Sequence, residues 1–206
     1  MGLVKSKKPK ASAAAPRSQP SCLQWAALLE DADAPTRRQA ARQLVHCPDA
    51  AQALVGRMRQ EPDLAVRQAI GSTLVRLNDP SALPELGECL RSDDAALRNE
   101  AIEIFKLLTC DLSSALQSLL LDPDPDVRIL TINILESRRN PDVERSLLDV
   151  LQRDQHVNVC ATAVDLLCEV GTDTATEALL SLKQRFPAEP YLQFATDLAL
   201  KRIRES

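Results

Sequence analysis

DLAVRQAIGSTL (Asp63–Leu74), DAALRNEAIEIF (Asp94–Phe105) and DPDVRILTINIL (Asp124–Leu135) are three copies of one pattern. Each opens on an aspartate and reaches an apolar–arginine pair three and four residues later. Small or apolar residues follow three and seven positions beyond the arginine. DAPTRRQAARQL (Asp33–Leu44) is an earlier copy, and HVNVCATAVDLL (His156–Leu167) a degenerate later one. The aligned positions are Arg37, Arg67, Arg98, Arg128 and Cys160, spaced by 30, 31, 30 and 32 residues. A sixth unit closes the chain, with Leu192, Ala195 and Ala199 at the corresponding offsets. Self-similarity at such a period marks a solenoid, and this one has room for two helices of roughly 11–13 residues joined by tight turns.

The stretches between these copies read as first helices, with apolar residues recurring at i, i+3, i+4 and i+7. Leu112, Ala115, Leu116, Leu119 and Leu120 form one such set, and Ala175, Leu179, Leu182 and Phe186 another. Asp79-Pro80 and Asn140-Pro141 place a capping side chain before a proline at the first helical position. Gly171 stands where a left-handed residue would end the fifth second helix. The expected fold is all-α, an α-α superhelix of five to six helix pairs over residues 21–206. Residues 1–20, rich in Lys, Ser, Ala and Pro, read as a disordered basic tail.

With 206 residues, 45% of them hydrophobic, the chain can bury roughly 70% of its unfolded surface. Trp25, Phe105, Phe186, Tyr191 and Phe194 are its only aromatics, so Leu, Ala, Val and Ile must build the core. The formal net charge of -4 is uneven. Lys5, Lys7, Lys8, Lys10 and Arg17 sit in the tail with no acid, while the remainder is acidic, which disfavours general nucleic-acid binding. No apolar run reaches the roughly 18 residues that span a membrane. Met1-Gly2-Leu3-Val4-Lys5-Ser6 fits the short pattern for N-myristoylation, with lysines following. Cys22, Cys47, Cys89, Cys110, Cys160 and Cys168 form no C-x-x-C pair. They read as reduced, buried thiols of a cytoplasmic protein.

The repeated D-x-x-(V/L)-R, carried by the copies quoted above, resembles the short HEAT repeats of phycobilisome lyase subunits and similar bacterial proteins. That resemblance implies a right-handed superhelix of antiparallel helix pairs serving as a protein-binding surface. It also implies an alternative role as an auxiliary subunit attaching or detaching a bilin-type cofactor. Metal-dependent relatives use repeated His-Glu dipeptides as iron ligands. Here His46 precedes Cys47 and His156 precedes Val157, so no metal centre and no cofactor are expected. Nor do the motifs of nucleophilic, phosphate-binding or zinc chemistry occur.

The expectation is a non-enzymatic scaffold or adaptor, monomeric because its end units are atypical as caps should be, that binds another protein. Second helices usually line the concave side of a solenoid. The positions left free by the buried ones are Arg38 and Arg42, Gln68 and Arg76, Asn99 and Glu103, Ile129, Leu130 and Asn133, and Asp165. Charge along this face drifts from basic to acidic, which would orient a partner. Ile129 and Leu130 are expected to point away from the core as an exposed apolar anchor. The repeated arginines have a structural task available, since each can reach an aspartate of its own or a neighbouring unit.

Overall fold

The aspartate that opens each repeat has a short carboxylate which can accept the free N–H groups of a helix's first turn. The computed structural model, which describes residues 20–138 and 141–205, shows it doing so. Asp33 accepts from Thr36 N–H at 3.0 Å, Asp63 from Val66 N–H at 3.0 Å, Asp94 from Ala96 N–H at 2.8 Å, and Asp124 from Asp126 N–H at 2.9 Å. The degenerate fifth unit has His156 at this place and no side-chain cap. Asp79, before Pro80, accepts from Ser81 N–H at 2.9 Å. The basic tail with its myristoylation pattern, and the Asn140 cap, lie outside the described residues.

Twelve helices follow in pairs among the described residues. They are α1 (Cys22–Leu28) with α2 (Ala34–Gln43), α3 (Ala51–Met58) with α4 (Leu64–Leu77), and α5 (Leu83–Cys89) with α6 (Ala95–Leu107). Then come α7 (Ser113–Leu119) with α8 (Pro125–Leu135), α9 (Pro141–Arg153) with α10 (Val157–Val170), and α11 (Thr176–Arg185) with α12 (Pro190–Glu205). The second helices form an unbroken row, α2 on α4, α4 on α6, and so on to α12. The solenoid is therefore six pairs long. No described helix is long and apolar enough to cross a membrane.

The core lies between the two rows and follows the repeat pattern. Val66, Ile70 and Leu74 are buried, as are Leu97, Ala101 and Phe105, then Val127, Thr131 and Leu135, and Val159, Ala163 and Leu167. Thr131 is satisfied there by donating its hydroxyl to the Val127 carbonyl at 2.7 Å. In unit six Leu192, Thr196 and Leu200 take these places; the expected Ala195 and Ala199 fall one position short of them and are buried as well.

The arginines are structural; Arg67 and Arg128 each reach an aspartate of the next unit as expected, whereas Arg37 takes a glutamate. Each reaches back to the carbonyl six residues earlier. Arg37 donates to Asp31 O, Arg67 to Glu61 O, Arg98 to Ser92 O and Arg128 to Asp122 O, at 2.6–2.9 Å. Their forward partner is mainly the acid two residues before the next cap. Arg37 grips Glu61 with two bonds of 2.8 and 2.7 Å, and Arg128 grips Asp154 with bonds of 2.7 and 3.0 Å. The cap aspartates are occupied by backbone N–H groups, and only Asp94 also takes an arginine, Arg67 at 3.0 Å.

Two further expectations are corrected. Gly171 ends α10 with extended backbone, φ -70 and ψ 147, not a left-handed one. A Cβ there would lie 2.5 Å from the Leu167 carbonyl oxygen, so close approach explains the glycine. Left-handed backbone falls to Asp49 and Asn78, the latter ending α4 and accepting the Thr109 and Cys110 N–H groups at 2.8 and 2.9 Å.

Nor are the cysteines all reduced. Cys22 and Cys47 form a disulfide with 5.6 Å between their Cα atoms. The bond joins α1 to the turn after α2, and with it formed the cysteines no longer argue for a reducing compartment. Helix α1 contributes no fully buried residue of its own, so the half-buried Trp25, Ala26 and Leu28, with Leu29 and this bond, hold the first helix down. Reduction is expected to lower stability by about 3 kcal/mol, because the bond closes a loop between residues 25 apart. Urea unfolding with and without dithiothreitol checks this, with Cys22→Ser insensitive to the reductant. Coincident wild-type curves would remove the bond from the fold's support.

Candidate functional site

Counting one, five and nine places beyond the aligned arginines identifies the free side of the second helices, because core positions fall at minus one, three and seven. Arg42, Gln68, Arg76, Asn99, Glu103 and Asp165 are exposed, and Arg38 and Asn133 half-buried. Four of these meet. Arg38 and Arg42 of α2 and Gln68 and Arg76 of α4 line one open cleft of about 670 Å³, together with His46 and Ser72. None of the three arginines meets a carboxylate among the described residues, unlike Arg37, Arg57, Arg67, Arg91 and Arg128.

The cleft has a charged boundary on α6. Glu100 leans over Gly71, with its Oε1 only 2.3 Å from where a Cβ would stand. Burial raises the Glu100 carboxyl above its ordinary value, against the pull of Arg67 and with help from Glu103. Glu103 in turn faces Lys106 at 3.6 Å. The free side of the second-helix row thus carries arginines on α2 and α4 and glutamates on α6.

Ile129 and Leu130 are not the free anchor the sequence suggested. Both are half-buried and packed against the core, because α8 is covered on both sides by α6 and α10. Asp165 stands apart from the arginines, at the far end, where it accepts the Tyr191 hydroxyl at 3.0 and 2.9 Å. That bond pushes the Tyr191 hydroxyl up from its ordinary value. Phe194 and Leu198, 66% and 43% exposed, extend the same face as an apolar end. They lie one and five places beyond Gln193, which fills the arginine's position and donates to the Lys183 and Phe186 carbonyls at 2.9 Å. Carrying the offsets into unit six would have found both.

A model of HEAT repeats matches residues 24–106 and 112–196. The chain belongs to the HEAT-repeat family. Among solved structures, two engineered proteins are 17% and 18% identical, with TM-scores of 0.44 and 0.45. The first pairing covers 89% of this chain and 96% of that one, the second 91% and 100%. The complex of CpcE and CpcF of phycocyanin lyase from Nostoc sp. PCC7120 is 17% identical at a TM-score of 0.38, covering 95% of this chain and 100% of that one. No curated protein matches the sequence.

These HEAT repeats also part along the row of first helices. Helices α7 and α9 flank a cleft of about 1080 Å³, which the sequence reading did not find. Its floor carries Leu116, Leu120, Val143 and Val150 beside Arg128 and Arg138, and its rim carries Gln117, Arg145 and Asp149. Arg138 donates to the Phe105 and Leu108 carbonyls at 2.7 Å, which ties α8 back to unit three. His46 and His156 are both exposed, and no group of three potential metal ligands gathers among the described residues.

Proposed function

We propose that this HEAT-repeat chain is a non-enzymatic scaffold or adaptor whose inner face holds another protein. The observation that supports this reading is that Arg38, Arg42 and Arg76 line one cleft and meet no carboxylate among the described residues. Like charges gathered without counter-charges repel, which is costly for a fold but useful to a binding face. The opposite end of the face offers Phe194 and Leu198, aromatic and aliphatic side chains of the kind that anchor interfaces.

Affinity capture from a lysate of the source cells, read by quantitative mass spectrometry, tests which side is used. Gln68→Trp/Glu103→Trp obstructs the inner face, and Gln117→Trp/Asp149→Trp obstructs the outer cleft. All four positions are exposed, so both variants are expected to fold. A stoichiometric protein should be lost at least tenfold from the inner-face variant and kept by the outer one. The reverse pattern, or no such protein with any bait, would overturn the reading.

A second reading, attachment or detachment of a bilin-type cofactor, has the α7/α9 cleft in its support. Its volume suits a small molecule, and Arg138, which pairs with no carboxylate among the described residues, supplies a charge for an acidic one, while Arg128 and Arg145 are held by Asp154 and Asp142. Added bilin should then shift its visible absorbance on mixing with the protein. An unchanged spectrum would dismiss this role.

A further inference from the structure

The inner cleft also says what kind of segment fits it, an inference that rests on the inner face being the protein-binding one. Arg38, Arg42 and Arg76 stand one, five and nine places beyond their repeat arginines. Neighbouring second helices run side by side, so the three charges are spread over about 12 Å of helical rise. Their Cα positions therefore form a row along the cleft rather than a single point. Gln68 and Ser72 add neutral donors between them. We propose that the cleft between α2 and α4 takes an acidic segment of a partner protein, with several Asp or Glu side chains in series along the arginine row.

The spacing and surroundings of the row favour carboxylates in series over other anions. An extended chain advances about 3.3 Å per residue, so four or five residues cover the row and place alternate carboxylates one per arginine. A single phosphate is too compact to meet all three. A nucleic acid would need a continuing basic track and a base-stacking ring. The cleft lining holds no Phe, Tyr or Trp, and Glu100 and Glu103 close the track at α6. Those two glutamates also fix register, because an acidic run sliding towards α6 meets like charge. The planar guanidinium fork of each arginine suits a carboxylate bidentately, which lysine would not.

The test uses the full chain and a fluorescein-labelled peptide containing six consecutive glutamates, read by anisotropy. Hexaglutamine of the same length is the neutral control. The main variant is Arg42→Gln/Arg76→Gln, both exposed, with Arg38→Gln added as a triple. Arg59→Gln/Arg204→Gln removes two other exposed arginines that meet no carboxylate among the described residues, and so controls for general charge. Hexaglutamate should bind the wild type, bind the double variant at least tenfold more weakly, and bind the Arg59/Arg204 control unchanged. Binding should fall with added salt, and hexaglutamine should not bind. Equal loss in the control, no hexaglutamate binding at low salt, or tighter binding of a single-phosphoserine peptide or an oligothymidylate would each overturn the proposal. If hexaglutamate fails while capture of a protein is still lost from Gln68→Trp/Glu103→Trp, the acidic-segment proposal falls and the scaffold reading stands.

Discussion

Replacing Glu61 with alanine is expected to lower the unfolding free energy by about 3 kcal/mol, the lower end for breaking a buried ion pair. Glu61 is fully buried and joins two arginines. It takes two bonds from Arg37, a third from Arg57 Nε at 2.9 Å, and the Asp63 N–H at 2.9 Å. Without it, Arg37 stays enclosed and loses its only carboxylate. The cost stays at the lower end because Arg37 keeps the Asp31 and Ala32 carbonyls, and Arg57 keeps Glu30 at 2.9 Å. Burial alone would raise the Glu61 carboxyl, but its bonds to Arg37, Asp63 N–H and Arg57 win and hold it at about 2. A depressed value means that the folded state favours the charged form. This stabilisation is therefore complete above the ordinary value of 4.5 and is lost as pH falls towards about 2. Glu61→Gln should be less stable than wild type at pH 7, and the gap should close as pH falls through that window. Denaturant titrations at pH 7, 4 and 2.5 check this. A gap that stays constant with pH would show that the carboxylate's charge is not what matters.

Phe105→Ala is expected to cost about 3–5 kcal/mol, the range for emptying an aromatic site in a packed core. Phe105 is the only aromatic among the largest fully buried side chains, so no neighbouring ring can swing into the space. It also lies in α6, midway along the row of second helices. In a repeat stack, stability is close to a sum of units and nearest-neighbour interfaces, so a weak central interface separates the two halves. Calorimetry should show a lower and broader transition, resolving into two as the halves lose cooperativity. A single sharp transition at an unchanged temperature would mean that the site collapses without cost.

Much of this fold was legible because a helix pair is a local object. The aspartate caps, the buried triplets such as Val66, Ile70 and Leu74, and the exposed positions between them all lie within a dozen residues. The 3.6-residue period therefore sorts them without knowledge of neighbours. Arg38, Arg42, Gln68 and Arg76 were legible for the same reason, since equal offsets in stacked units must face the same side. Ile129 and Leu130 were misjudged because the wheel of a single helix carries no record of how deeply α6 and α10 overlap it.

The sequence by itself determined the helix pairs, their caps, their order and which side of each second helix is free, because these follow from chain-local geometry repeated at a fixed period. Tertiary structure alone decided the rest. It chose Glu61 for Arg37, Asp154 for Arg128 and the cap Asp94 for Arg67, according to which carboxylate the stacking brings within reach. It brought Cys22 to Cys47, parted α7 from α9, and gathered three arginines into one cleft. Each of those outcomes depends on distances between units, and such distances are set by how side chains interlock across the stack.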